Sequence, residues 1–137
     1  MDRDLLRSQL ERHEGLRLRV YKDTVGVNTI GYGRNLDDVG ITREEADYML
    51  AADIERVERD LNMVDEYMDL DRIRQTVIAN MTVNMGFRGV MQFKRMWAAI
   101  GRKDYAAAAR EMLDSTWRKQ VGNRATELAE IMRSGEV

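Results

Sequence analysis

Hydrophobic periodicity changes once along this 137-residue chain, near residue 41, and that change constrains the fold more than any other feature. Before it, Leu16, Leu18 and Val20 alternate with Arg17, Arg19 and Tyr21, the period-two pattern of a half-buried strand. Gly26, Gly31 and Gly33 punctuate the next stretch, so residues 16–35 are expected to form a small hairpin sheet with tight turns. Ahead of it, Leu5, Leu6, Leu10 and His13 recur at near-helical spacing and predict a short amphipathic helix that stops at Gly15. After Gly40 the pattern is helical throughout. Thr42-Arg43-Glu44-Glu45 is a capping box, in which the threonine hydroxyl satisfies an orphan amide while Glu45 reaches back. Behind it, Ala46, Met49, Leu50, Ile54, Val57 and Leu61 form one apolar stripe, a helix of about five turns. A second stripe, Ile73, Val77, Ile78, Met81 and Met85, ends at Gly86. Shorter helices are expected around 89–100, 103–114 and 123–133, the last with Asn123 as its N-cap. The expected class is α+β and mostly helical.

Composition excludes several functions. A chain of this length supports one domain burying roughly two-thirds of its unfolded surface. With no cysteine it has neither a disulfide framework nor a thiolate metal site. A single histidine, His13, argues against a metal enzyme, so no metal and no cofactor are expected; His13 itself suits local packing at a helix end. A net charge of -2 from 22 basic and 24 acidic side chains provides no footprint for nucleic acid. No apolar run approaches the ~18–20 residues of a membrane span. The opening residues carry no secretory leader pattern, so synthesis in a cytoplasm without membrane insertion is expected. The ten methionines suit soft core packing, with a methionine-rich partner groove as the alternative. Trp97 and Trp117, in the helical half, are expected to be buried anchors.

The residues with chemical promise lie between Glu11 and Gly33. Glu14 sits at a helix end just before a glycine, Asp23 falls in the first turn of the sheet, and Thr29 lies on the returning strand. Glycoside hydrolysis needs two carboxyl groups, one protonated to donate to the leaving oxygen and one ionised to deal with the cation-like centre or the attacking water. A hydroxyl such as Thr29 can hold that water. Spacing alone leaves the question open, because among 24 acidic residues a Glu followed nine positions later by an Asp also suits two unrelated surface carboxylates. The glycine-dense hairpin favours a site, since loops present functional groups from a rigid base. Tyr21 and Tyr32, in the same lobe, are candidates for lining it.

Glu14-Gly15-Leu16-Arg17-Leu18, Tyr21-Lys22-Asp23-Thr24 and Thr29-Ile30-Gly31-Tyr32-Gly33 resemble the phage-type lysozymes, glycoside hydrolase family 24. The resemblance extends through Thr42-x-x-Glu45-Ala46, Arg74, Asn80-Met81, Asn84-Met85-Gly86, Trp117 and Asn123-Arg124-Ala125, covering nearly the whole chain. It implies a lysozyme-like two-lobed fold: a small antiparallel sheet lobe over about 14–41, a long interlobe helix over about 42–62, and a helical lobe over about 63–137 joined by the N-terminal helix 3–13. It implies a muramidase that cleaves the N-acetylmuramic acid to N-acetylglucosamine bond of peptidoglycan with inversion. Glu14 then matches the general acid, Asp23 the second carboxylate, Thr29 the water-orienting hydroxyl, and Arg124 an arginine that positions the catalytic glutamate.

Tyr21, Tyr32, Arg34, Asn35, Asn84, Met96 and Glu111 become the candidates for the substrate cleft. Relatives often have histidine at Arg34, and Asn35, Val83, Met96 and Glu111 replace other side chains at sugar-contacting positions, so subsite preferences are expected to differ. The implied partner is bacterial peptidoglycan, acted on by a monomer after release by another factor. Rival readings are a non-catalytic wall-binding module and a helical interaction module. Relatives also place proline near Met63–Leu70 and at Gly122, where this proline-free chain is expected to have looser loops.

Overall fold

The computed structural model describes all 137 residues. The chain divides into two compact units, Met1–Tyr48 and Met49–Val137. The first opens with helix α1 (Arg3–Glu14), whose N-cap Asp2 accepts the Leu5 amide at 2.9 Å. Gly15 ends the helix at φ +68°, a left-handed conformation that glycine adopts without steric cost, and its amide donates to the Glu11 carbonyl. Three antiparallel strands come next, in the order β1 (Arg17–Lys22), β2 (Asn28–Gly31) and β3 (Arg34–Asn35). Tyr21 pairs with Thr29 and Lys22 with Asn28, while the register slips between Arg17 and Tyr21. On the other side Thr29 pairs with Asn35 and Ile30 with Arg34.

The alternation at 16–21 therefore marks a strand, but not a half-buried one. Leu18 is 80% exposed and Val20 is 56% exposed. β1 is an edge strand of a very small sheet, and only Tyr21 along it is partly covered. Likewise α1 has its apolar spacing yet no buried residue.

Helix α2 (Arg43–Leu61) begins at the expected capping box. The Thr42 amide donates to Glu45 Oε1 at 2.8 Å, and the Glu45 amide donates to Thr42 Oγ1 at 3.1 Å. Of its apolar stripe, Val57 and Leu61 are buried, whereas Met49, Leu50 and Ile54 are about half exposed.

The second unit holds the hydrophobic core. After α2 come α3 (Asp65–Met68), α4 (Arg72–Met85), α5 (Phe87–Met91), α6 (Lys94–Gly101), α7 (Tyr105–Leu113), α8 (Thr116–Val121) and α9 (Asn123–Ser134). Met81, Met96, Met112 and Met132 are fully buried beside Ile78 and Val90, so these methionines are core packing as expected. Trp97 and Trp117 are buried, and the Trp97 indole N–H donates to the Val90 carbonyl. The alanines at 107–109 are buried on α7, whose small side chains let α6 and α9 pack closely against it.

Three expectations need correction. The segment 89–100 is not one helix, because the chain breaks at Gln92 and Phe93 between α5 and α6. Asn123 is the first helical residue rather than the N-cap; Gly122 takes the cap position at φ +57°. The short helices α3 and α8 are additional, the latter capped by Ser115 accepting the Arg118 amide.

Candidate active site

Within the first unit, the end of α1 meets the turn between β2 and β3. A Cβ built on Gly33 would lie 2.7 Å from Glu14 Oε2, 2.8 Å from its Cδ and 3.1 Å from its Cγ. The Glu14 carboxyl group therefore rests directly on Gly33, which has φ +77° and no side chain to obstruct it. Apart from that seat, Glu14 is exposed.

Asp23 comes directly after β1 and closes the β1–β2 turn. Its Oδ1 accepts the amides of Val25 and Val27, both at 2.9 Å, while its own amide donates to the Val27 carbonyl. This Asx-type turn fixes the carboxylate and leaves Oδ2 outside the turn's bonding. Thr29, in the central strand, is only 4% exposed. Its hydroxyl donates to the Val27 carbonyl at 2.9 Å, so toward any further partner it has only acceptor capacity. Asp23 and Thr29 thus share Val27: Asp23 binds both its amide and its carbonyl, and Thr29 binds the same carbonyl.

The remaining first-unit candidates lie around this hairpin. Tyr21, opposite Thr29, carries the Arg17 guanidinium over its ring at 4.6 Å. Tyr32 is about half exposed and lines a groove of about 450 Å³ against Leu6, Leu10 and Glu11 of α1. Asn35 pairs with Thr29 and uses its side chain to hold the next turn, donating to Asp38 and accepting the Asp38 amide. Asp37 accepts both the backbone and side-chain amides of Asn28, which lower its pKa, the backbone amide having the larger effect.

Arg34 Nη1 donates to Glu45 Oε1 at 2.6 Å and to the Gly40 carbonyl at 3.3 Å. The Arg34 guanidinium is the largest cause, and the Thr42 amide the next, of a Glu45 pKa lowered to about 2. Residue spacing did not reveal this link, because the capping box already accounts for Glu45. Nor did it reveal the Glu14–Gly33 contact, for which the only signal is a third glycine in a short hairpin.

The second unit holds the other candidates. Arg124, near the start of α9, donates to the Asn80 side chain at 3.0 and 2.7 Å. Asn84 is exposed on α4 and accepts the Trp117 indole N–H at 2.7 Å. Phe93 meets the Trp117 ring edge-on at 6.3 Å. Met96 and Glu111 come together along a cavity of about 470 Å³ with Phe93, Ser115 and Trp117, with Met96 fully buried. No group of histidine and carboxylate side chains is arranged to hold a metal ion.

Residues 11–134 match the phage lysozyme family. The chain is 30% identical to probable T4-type lysozyme 1 of Dictyostelium discoideum, over 95% of this chain and 94% of that protein. It is 30% identical to an endolysin of Acyrthosiphon pisum secondary endosymbiont phage 1, over 90% of this chain and 85% of that protein. Similarity at 30% also covers 93% of this chain and 27% of the pre-baseplate central spike protein of Enterobacteria phage T4. With the match spanning nearly its whole length, the chain belongs to the phage lysozyme family, a family of glycoside hydrolases that act on peptidoglycan.

Proposed function

We propose that this chain is a muramidase that hydrolyses the β-1,4 bond from N-acetylmuramic acid to N-acetylglucosamine with inversion, lysing bacterial walls. The observation that carries the reading is the convergence on one small hairpin of a seated Glu14, a turn-locked Asp23 and a hydroxyl-bearing Thr29. Glu14 donates its proton to the glycosidic oxygen as that bond breaks. Asp23 accepts the proton of the attacking water through Oδ2, because Oδ1 is already occupied by two amides. Thr29 has its single hydroxyl proton on Val27, so it accepts a hydrogen bond from the same water. A water donating to both residues turns a lone pair toward the anomeric carbon, on the face opposite the leaving group. The catalytic groups are all side chains of this chain, and no cofactor enters the scheme.

Arg124 is proposed to position the acid. Tyr21, Tyr32, Asn35, Asn84 and Glu111 are proposed to contact the saccharide, with Met96 buried behind the cavity that Glu111 lines. No helix is long and apolar enough to cross a membrane, and in this reading the enzyme reaches the wall after another factor releases it.

The test is turbidity clearing of outer-membrane-permeabilised Gram-negative cells by wild type, Glu14→Gln and Asp23→Asn. Wild type should clear the suspension, with Glu14→Gln at least about 100-fold slower, the lower range for loss of an acid catalyst. Clearing that survives unchanged in Glu14→Gln would remove the mechanism. Wall binding by wild type without clearing would favour a non-catalytic module.

A further inference from the structure

Strand β3 is only two residues long, yet it carries both the residue beside the acid's seat and the partner of Thr29. Two residues of pairing are too few to hold a strand in register by themselves. Asn28 and Asn35 tie the hairpin to the turn that follows it, through Asp37 and Asp38, and Arg34 ties it to α2: its Nη1 bridges the Gly40 carbonyl at 3.3 Å and Glu45 Oε1 at 2.6 Å. Glu45 is itself immobilised, since the same Oε1 accepts the Thr42 amide at 2.8 Å while the Glu45 amide is bound to Thr42 Oγ1. The anchor is therefore a capped helix terminus rather than a free side chain.

We infer that Arg34 is a positioning residue for the general acid: its clasp on the α2 N-terminus holds the neighbouring Gly33 in place as the seat of the Glu14 carboxyl group. This rests on the muramidase reading above and adds a function for a residue that does not touch the reacting atoms. The clasp is a planar, charge-assisted donor on a fixed carboxylate, a geometry that arginine holds better than lysine. Both side chains are more than a third exposed, at 37% and 38%, and ion pairs of that kind contribute little to global stability. Loss of Arg34 should therefore loosen the turn without unfolding the unit. The consequence falls on Glu14, because its carboxyl group lies against Gly33 where a side chain would otherwise stand.

The experiment compares Arg34→Ala, Arg34→Lys and Glu45→Gln in the full chain, measuring kcat and KM on soluble peptidoglycan fragments. A seat loosened by a few tenths of an ångström to one ångström should lower kcat by about tenfold to a hundredfold. KM should stay within about twofold, because the effect is on the placement of a reacting group and not on uniform binding. Glu45→Gln keeps an oxygen for the Thr42 amide but removes the charge, so it should reproduce the kcat loss; Arg34→Lys should recover part of it. If Arg34 instead contacts the saccharide, Arg34→Ala raises KM while Glu45→Gln is silent, and the inference is overturned.

A second readout needs no turnover. In an amide correlation spectrum Glu14→Gln should shift the Gly33 cross-peak, and that shift should shrink in the Arg34→Ala background. An undiminished shift overturns the inference. A fully active Glu14→Gln enzyme overturns the catalytic reading, while the Gly33 response still reports on the clasp.

Discussion

Gly33→Ala separates the two demands that one position meets. At φ +77° an alanine enters the left-handed region, a backbone cost of about 1–2 kcal/mol. Its methyl would also lie 2.7 Å from Glu14 Oε2, where ordinary contact begins at 3.4 Å, so the carboxyl group must retreat by about 0.7 Å. Moving the end of a flexible side chain costs little stability, but that end is the proposed proton donor. Since a misplacement of about 1 Å can cost about 100-fold in rate, kcat should fall by about tenfold to a hundredfold. That corresponds to about 1.4–2.7 kcal/mol in the barrier.

Gly31→Ala is the matched control. Gly31 has φ +71° in the same hairpin, and a Cβ there meets nothing within 4 Å. It should carry the same backbone cost and leave Glu14 in place. Thermal melts monitored by circular dichroism should show both variants lowered by about 3–8 °C. Initial rates on soluble peptidoglycan fragments should then separate them, with Gly31→Ala within about twofold of wild type. Equal rate losses in the two variants would refute the seat and leave only a generic effect of backbone strain.

Two predictions concern stability. Arg74 reaches from α4 to the end of α9, donating to the Met132 carbonyl at 2.6 Å and the Arg133 carbonyl at 3.1 Å. It also pairs with Asp71 at 2.9 Å and stacks on Tyr105 at 3.7 Å. Arg74→Ala should cost about 2–3 kcal/mol in urea denaturation, and Arg74→Lys should recover only a minority because an ammonium lacks the fork; full recovery by lysine would count against this account. The second concerns acid. Glu45 has its pKa lowered to about 2 from the usual 4.5, so the small stabilisation from its pairing with Arg34 and Thr42 is fully present above pH 4.5. That contribution is lost as pH falls from 4.5 through about 2. The stability difference between wild type and Glu45→Gln should shrink between pH 6 and pH 3, and a difference that grows on acidification would refute the assignment.

The features legible in the residues are those with a local cause. Thr42 and Glu45 announce α2 because a capping box is complete within four residues, and the stripe from Ile73 to Met85 announces α4 because several turns repeat one face. Helices α3 and α8, of four and six residues, are too short for any period to emerge. The break at Phe93 carries no glycine or proline to mark it. At 122–123 two good candidates compete, and Gly122 takes the cap because its φ of +57° is one that asparagine adopts less readily.

Alternation at 16–21 reports the pitch of a strand but says nothing about whether a second layer covers it, which is why Leu18 and Val20 are exposed. The site divides along the same line. Glu14, Asp23 and Thr29 are legible as residue types in a glycine-marked hairpin, and the Asp23 turn is local enough to be read from its sequence. The seat of Glu14 and the Arg34–Glu45 clasp are tertiary: they join residues 19 and 11 positions apart whose local functions, helix end, turn glycine and capping glutamate, already look complete. A residue whose local role is satisfied gives no sign of a second one, and here those second roles are what hold the proposed acid in place.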